Sequence, residues 1–174
     1  AGFLALAELE EITDLQKAAS LEQAALLDKA NAEAIIERIP VEAVKKTAHM
    51  QRLLAQGKAS EVISQFAKED LTQWPFWKCG DGYQLRGRAY YITKDGAKAE
   101  ADLTQALSWV NEPRTRDSLL LAIAQNRERN LGDDDGALEA FIAVVADRER
   151  IGSADEYGAL QSIARIQTRR GQYD

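Results

Sequence analysis

The sequence predicts an all-α fold made of antiparallel helix pairs set side by side, and three observations predict it. Only three prolines and scattered glycines interrupt 174 residues, and no strand-length run alternates β-branched with polar residues. A helix–turn–helix signal recurs: Gly57 in LLAQGKASEV, Lys94 in ITKDGAKA, Gly132 in NLGDDDGA and Gly171 in RRGQYD stand 37, 38 and 39 residues apart. Behind three of these turns a small residue and then a large one keep the same phase: Val62 and Phe66, Ala99 and Leu103, Ala137 and Phe141. A helix pair cannot bury its apolar face alone, so regularly spaced pairs are expected to cover one another.

Composition limits the function classes. Hydrophobic residues make up 45% and charged residues 29%, as in an ordinary soluble protein rather than a disordered one. A formal charge of −6 argues against a nucleic-acid binder, which needs a basic surface. One cysteine, Cys79, rules out an internal disulfide and any multi-cysteine zinc site. It suits a reducing, cytoplasmic compartment, although secreted and periplasmic proteins without disulfides share that count. No apolar run approaches the roughly 20 residues that cross a bilayer, so membrane insertion is not expected. Gly2–Ala7 (GFLALA) is apolar but short, and it runs into acidic residues. The chain has no initiator Met, so its true N-terminus is expected to lie elsewhere, with a removed signal peptide as one source of that.

Taken in order, residues 3–18 carry Leu4, Leu6, Leu9, Ile12 and Leu15 among acids, an amphipathic helix pattern. Ser20 and Gln23 form a capping box that predicts a second, alanine-rich helix (Ala24, Ala25, Ala30, Ala32, Ala34) through Ile39, with Pro40 opening the next. Residues 1–40 hold eight acids (Glu8, Glu10, Glu11, Asp14, Glu22, Asp28, Glu33, Glu37) against three bases (Lys17, Lys29, Arg38). This segment is expected to be an acidic N-terminal hairpin, either a cap or a degenerate repeat. Repeats then follow at about 41–80, 81–113 and 114–152, with a half-repeat at 153–174. The extra residues fall between them, in DLTQWPFWKCGDG, WVNEP and DRERIGSADE. Asn111-Glu112-Pro113 and Ser153-x-x-Glu156 are helix-start signals.

Within this frame the stretch YQLRGRAYYITKDGAKAEADLTQAL, residues 83–107, is the most regular. Gly87 three before Tyr90, and Ala99 four before Leu103, allow two helix backbones to approach while the large side chains fill the space beside them. These motifs resemble the tetratricopeptide repeat, whose pattern runs G-x2-Y, then A-x3-F, then Pro. The counterparts of Gly87 and Tyr90 in the next helix are Gln125 and Glu128, a poor match that a one-residue shift bringing Ala124 inward would repair. Met50 holds the matching place in the first repeat. The resemblance implies a right-handed superhelical solenoid and a non-catalytic scaffold that binds a partner protein or peptide in a concave groove.

In such arrays, groove residues come from fixed positions on the first helix of each pair. The row six before the turn reads Gln51, Arg88, Asn126, Arg165; the row three before reads Leu54, Tyr91, Arg129, Thr168; the row ten before reads Thr47, Gln84, Ala122, Gln161. From these rows Gln51, Gln84, Arg88, Tyr91, Asn126, Arg129, Gln161 and Arg165 are the expected peptide contacts. They include arginine and no acid, which favours an acidic or carboxylate-bearing partner, although arginine is also an ordinary helix-surface residue. A chaperone-tail clamp is not expected, because Thr47 and Gln84 stand where the family's clamp carries lysine.

Other chemistry is weakly supported. His49 lacks an evident partner for acid–base work, and its ordinary role is a surface or half-buried imidazole. Cys79 follows WPFWK in an expected loop, and a reactive thiolate would need a nearby cation such as Lys78. Phosphate-loop, zinc-protease, dinucleotide and nucleophile-elbow motifs are absent. Asp133-Asp134-Asp135 lacks the alternating ligand spacing of a calcium loop and reads as acids at a helix start. Trp74, Phe76 and Trp77 are either an exposed aromatic anchor or a plug between two repeats. No catalytic residue, metal site or cofactor is therefore expected. The chain stops soon after a first helix (Leu160, Ile163, Ala164, Ile166), so a fragment of a longer protein is expected, its last helix either self-associating with another copy or staying partly disordered. The competing expectation is a structural spacer or dimerisation module of a multidomain enzyme whose catalytic part lies elsewhere.

Overall fold

The computed structural model describes residues 13–39, 41–146 and 154–171, and these residues are helical without a strand. They divide into two compact units, Ala1–Arg86 and Gly87–Asp174. Residues 3–12 of the helix expected over 3–18, Pro40, the segment 147–153 with Ser153, and residues 172–174 lie outside the described residues, and Thr13, expected inside that helix, is instead the cap of a helix that starts at Asp14.

In the first unit α1 spans Asp14–Leu27. Thr13 and Gln16 form its capping box, with the Gln16 amide donating to Thr13 Oγ1 at 3.3 Å and the Thr13 amide donating to Gln16 Oε1 at 3.0 Å. The box expected at Ser20 does not open a helix; α1 runs through it. Ala18, Leu21, Ala24 and Ala25 form one buried stripe across that point, and burial keeps the helix continuous where the local signal would break it. The break falls instead at Asp28, whose carboxylate accepts from the Asn31 amide at 3.2 Å and side chain at 3.0 Å. Those bonds, the side-chain one first, hold Asp28 below the usual carboxylate range. A short α2 (Ala32–Glu37), α3 (Glu42–Ala55) and α4 (Ala59–Phe66) follow. Ile35, Ile36, Ile39, Val44 and Ala48 close a core over the α1 stripe.

A 3₁₀ turn, Leu71–Gln73, leads into α5, Phe76–Ile92. Cys79 therefore lies in a helix and not in the expected loop. Gly80 and Gly82 belong to the DLTQWPFWKCGDG stretch expected between two repeats. Gly82 is instead a packing residue, since a Cβ there would come within 2.9 Å of the Trp74 ring.

In the second unit the remainder of α5 from Gly87 meets α6, Gly96–Ser108. A Cβ on Gly87 would stand 3.0 Å from Leu103 Cγ, so glycine is what permits this approach. Ala99, Leu103 and Ala106 are buried in the same contact. Next comes α7, Pro113–Asn126, with Pro113 in its first turn and Glu112 as its cap in place of the expected Asn111. Residues Arg127–Leu131 continue it as a π-helical turn. A π turn holds one residue more than an α turn, which supplies the register shift needed here. Ala124 is fully buried and Gln125 only half so. Two more helices complete the unit: α8, Asp134–Val145, capped by Asp133, and α9, Ala154–Arg169. Consecutive helices pack on one another, α7 on α6 and α8, α9 on α8. In α9 the buried stripe is Ala159, Ser162 and Ile166; Leu160 and Ala164, expected inward, face outward.

The four turn positions share one backbone state. Gly57, Lys94, Gly132 and Gly171 have φ of 74°, 64°, 67° and 70°, and no other described residue has a positive φ. After α3 the Lys58 amide donates to the Leu53 carbonyl at 2.9 Å; after α5 the Asp95 amide donates to Tyr90 at 3.0 Å. Each is the closing bond of a left-handed helix end. At Gly132 the bond reaches one residue further back, from Asp133 to Arg127 at 2.9 Å, because the π turn adds that residue. The paired small and large residues behind the turns, Val62 and Phe66, Ala99 and Leu103, Ala137 and Phe141, are all buried.

Candidate partner-binding surface

The expected groove positions meet different fates. In the second unit Arg88 is exposed, and no carboxylate holds it among the described residues. Arg129 is exposed and donates to the Tyr91 hydroxyl at 3.1 Å, while Gln161 is exposed on α9. Asn126 is fully buried. Its side-chain amide donates to the Gly96 carbonyl at 2.9 Å and to Glu100 at 3.2 Å, so it ties α7 to the start of α6 and is not presented to a ligand.

Arg165 differs from expectation in another way. Its guanidinium makes a two-pronged contact with Glu128, Nε to Oε1 at 2.9 Å and Nη2 to Oε2 at 2.7 Å. The Glu128 side chain is only 3% exposed and the Arg165 side chain 48% exposed, so the arginine seals a buried acid with one edge and keeps the other in water. Arg169 reaches Asp134 at 2.5 Å, and Arg170 reaches Asp135 at 2.9 Å. The rows contain no acid, yet part of their positive charge is spent on acids just outside them. A signal for the Glu128–Arg165 pair was present: opposite charges 37 residues apart, nearly one repeat.

In the first unit Thr47 is fully buried and Gln51 half-buried, with Gln84 half-buried on α5. Gln51 lines a cleft of about 90 Å³ between α1, α2 and α3, together with Ala25, Ala32, Ile36 and Ala48. The alanine richness of residues 24–34 was visible in the sequence; that it leaves a hollow was not. Glu22, on the lining of this cleft, forms a buried ion pair with Lys78 at 3.0 Å and also accepts from Thr47 Oγ1 at 3.0 Å. Burial pulls the Lys78 ammonium down, but the Asp81 and Glu22 carboxylates outweigh it and hold its pKa above the ordinary lysine value.

The aromatic cluster splits. Trp74 is buried and donates through its indole N–H to Glu69 at 3.1 Å. Phe76 is 77% exposed and Trp77 39% exposed, with the Lys78 ammonium 6.0 Å from the Trp77 ring. Cys79 is buried, its thiol donating to the Trp74 carbonyl at 3.3 Å, and burial pushes its pKa up. Lys78 is turned to the two carboxylates and does not activate this thiol. His49 has partners that the sequence did not announce: Nε2 lies 3.1 Å from Gln65 Oε1 and Nδ1 lies 4.0 Å from Glu33. A second, open cleft beside it carries Lys45 and Lys46, which are paired with Glu37 and Glu69.

Among the described residues no group of three His, Cys, Asp or Glu side chains is placed to hold a metal ion. Asp133 caps α8 by accepting from the Gly136 amide at 2.9 Å. No helix among the described residues is long and apolar enough to cross a membrane. Comparison with protein-family models, with curated proteins and with solved structures returned no match to this chain.

Proposed function

We propose that the chain is a tetratricopeptide-like solenoid that works as a non-catalytic protein–protein scaffold, holding an acidic segment of a partner against the first helices of its pairs. The observation that carries this is the set of four left-handed turns at Gly57, Lys94, Gly132 and Gly171, in step with buried small and large pairs. Helix pairs repeated in this way suit stacking, and stacked pairs present one row of first-helix side chains. On the first-helix rows Arg88 and Arg129 are exposed cations that no carboxylate holds among the described residues, and Tyr91 stands half-buried against Arg129. Guanidinium groups so placed suit carboxylates.

The test is fluorescence anisotropy with a labelled peptide of alternating glutamate and leucine, against the chain and Arg88→Ala/Arg129→Ala. Binding should weaken about tenfold and its salt dependence should flatten. Unchanged affinity and salt slope in the double variant would remove the proposal. Arg165 is left intact, because removing it would strip a buried acid of its partner.

A second reading, self-association through α9, is favoured by its outward residues Tyr157 and Leu160, which are 65% and 48% exposed. Sedimentation velocity decides between them. A dimer abolished by Leu160→Lys supports the spacer or dimerisation role, and a monomer across the micromolar range dismisses it.

A further inference from the structure

The first unit contains a hollow that its own side chains leave unfilled. Close-packed interiors hold few voids larger than a water molecule. This cleft, at about 90 Å³, has room for several waters or for one branched aliphatic group. Ala25, Ala32, Ile36 and Ala48 line its inner part and are buried; Leu26 and Ala55 stand exposed at its mouth. An apolar lining offers water few hydrogen bonds, and the alanines keep open a space that a leucine would occupy.

Two neighbouring side chains on the lining have hydrogen bonding left incomplete. Gln51 Oε1 and Arg52 Nε are shut off from solvent without a partner. The charges around the cleft are mostly answered from within: Glu22 by Lys78 and Thr47, Arg52 by Glu33 at 2.5 Å. Lys29, at the mouth, is exposed, and no carboxylate holds it among the described residues.

We infer that this cleft receives the branched aliphatic side chain of a partner polypeptide, with an acidic neighbour of that residue at Lys29. The inference rests on the scaffold reading and gives it a side-chain preference. A charged anchor finds no free countercharge inside the cleft, whose alanines leave open a space of aliphatic size.

The test is ¹⁵N-resolved NMR titration of the whole chain with acetyl-leucine N-methylamide, and with the glycine and phenylalanine analogues. The leucine compound should saturably shift the amides of Ala25, Ala48 and Gln51, with a dissociation constant on the order of millimolar. The glycine analogue should bind at least about tenfold more weakly, and the phenylalanine analogue reads how strictly the cleft prefers a branched aliphatic group. Ala48→Leu fills the cleft and should abolish the shifts. Ala55→Leu does the same at the mouth from an exposed position and so leaves the core untouched. An absent or non-saturable response, equal binding of the glycine analogue, or full binding by Ala55→Leu overturns the inference.

The scaffold reading fails separately. If the acidic peptide binds through Arg88 and Arg129 while the leucine probe leaves the cleft unmoved, the cleft assignment falls and the scaffold stands. If the probe fills the cleft and no peptide binds the arginines, the scaffold falls and the cleft remains a site for an aliphatic amide.

Discussion

Each of the two units buries one glutamate against a cation, and they do so differently. In the first unit Glu22 and Lys78 are both inside, with side chains 11% and 10% exposed. In the second, Glu128 is 3% exposed while Arg165 is 48% exposed. The difference follows from the cations. An ammonium must be surrounded by acceptors, and Lys78 gathers two carboxylates at 2.8 and 3.0 Å. A guanidinium is a flat fork that can pair along one edge and stay hydrated along the other. An internal pair is therefore expected to be brittle and a pair at the surface forgiving.

Lys78→Met should produce the largest effect. It leaves Glu22 charged and buried with only Thr47 as a donor, a loss of about 3–5 kcal/mol. Chemical denaturation with segment-resolved hydrogen exchange should place that loss in α1 and α3. Replacing both partners, Glu22→Met with Lys78→Met, should recover most of it, since apolar packing replaces a costly pair. If the single and double variants are equally unstable, the pair is not what the interior depends on. Arg165→Met should cost less, about 1–2 kcal/mol, because Arg169 already stands 3.9 Å from Glu128 and can move in. Exchange should then rise at the end of α7 and along α9. A loss equal to that of Lys78→Met would end the distinction between the two pairs.

The units also differ in how far the sequence disclosed them. In the second, Gly87, Ala99, Leu103, Ala137 and Phe141 all take the places that their spacing assigns. The left-handed turn and the close helix approach restrict residue type strongly, so both leave marks in the sequence. The π turn left only a faint one, the misfit of Gln125 and Glu128, because a single added residue alters register without altering composition. In the first unit the box at Ser20 and the box at Thr13 read alike. What separates them is the buried Ala18–Ala25 stripe, a tertiary fact. For the candidate surface, positions were legible and availability was not. Asn126 and Arg165 stand on the expected row, but their partners Gly96 and Glu128 occupy positions that the rows do not contain.

The turns permit a smaller comparison. Lys94 holds φ of 64°, a state that a side chain makes costly and glycine does not, whereas Gly57 holds 74° without penalty. Lys94→Gly should raise stability by about 1 kcal/mol, and Gly57→Ala should lower it by about the same. Thermal melts of the two variants should move in opposite directions. A destabilised Lys94→Gly would mean that its side chain has a role outweighing the strain.

The smallest expected effect is that of acid, and it again separates the units. Lys46 first, and then Trp74, hold Glu69 below the usual glutamate range. Thr115, through its side chain first and then its amide, and the Arg114 amide do the same for Glu112 at the start of α7. Both folded-state values are depressed, so the stability they contribute is present above the unfolded value of about 4.3 and is lost as pH falls through the lower folded value. Glu69 is partly buried and joins α3 to the 3₁₀ turn, whereas Glu112 is exposed and caps a single helix end. Below pH of about 4, exchange protection should therefore fall further in the first unit, around α4 and the 3₁₀ turn, than at the start of α7. Glu69→Gln should flatten the response in the first unit alone; an unchanged acid profile in that variant would assign the loss to other carboxylates.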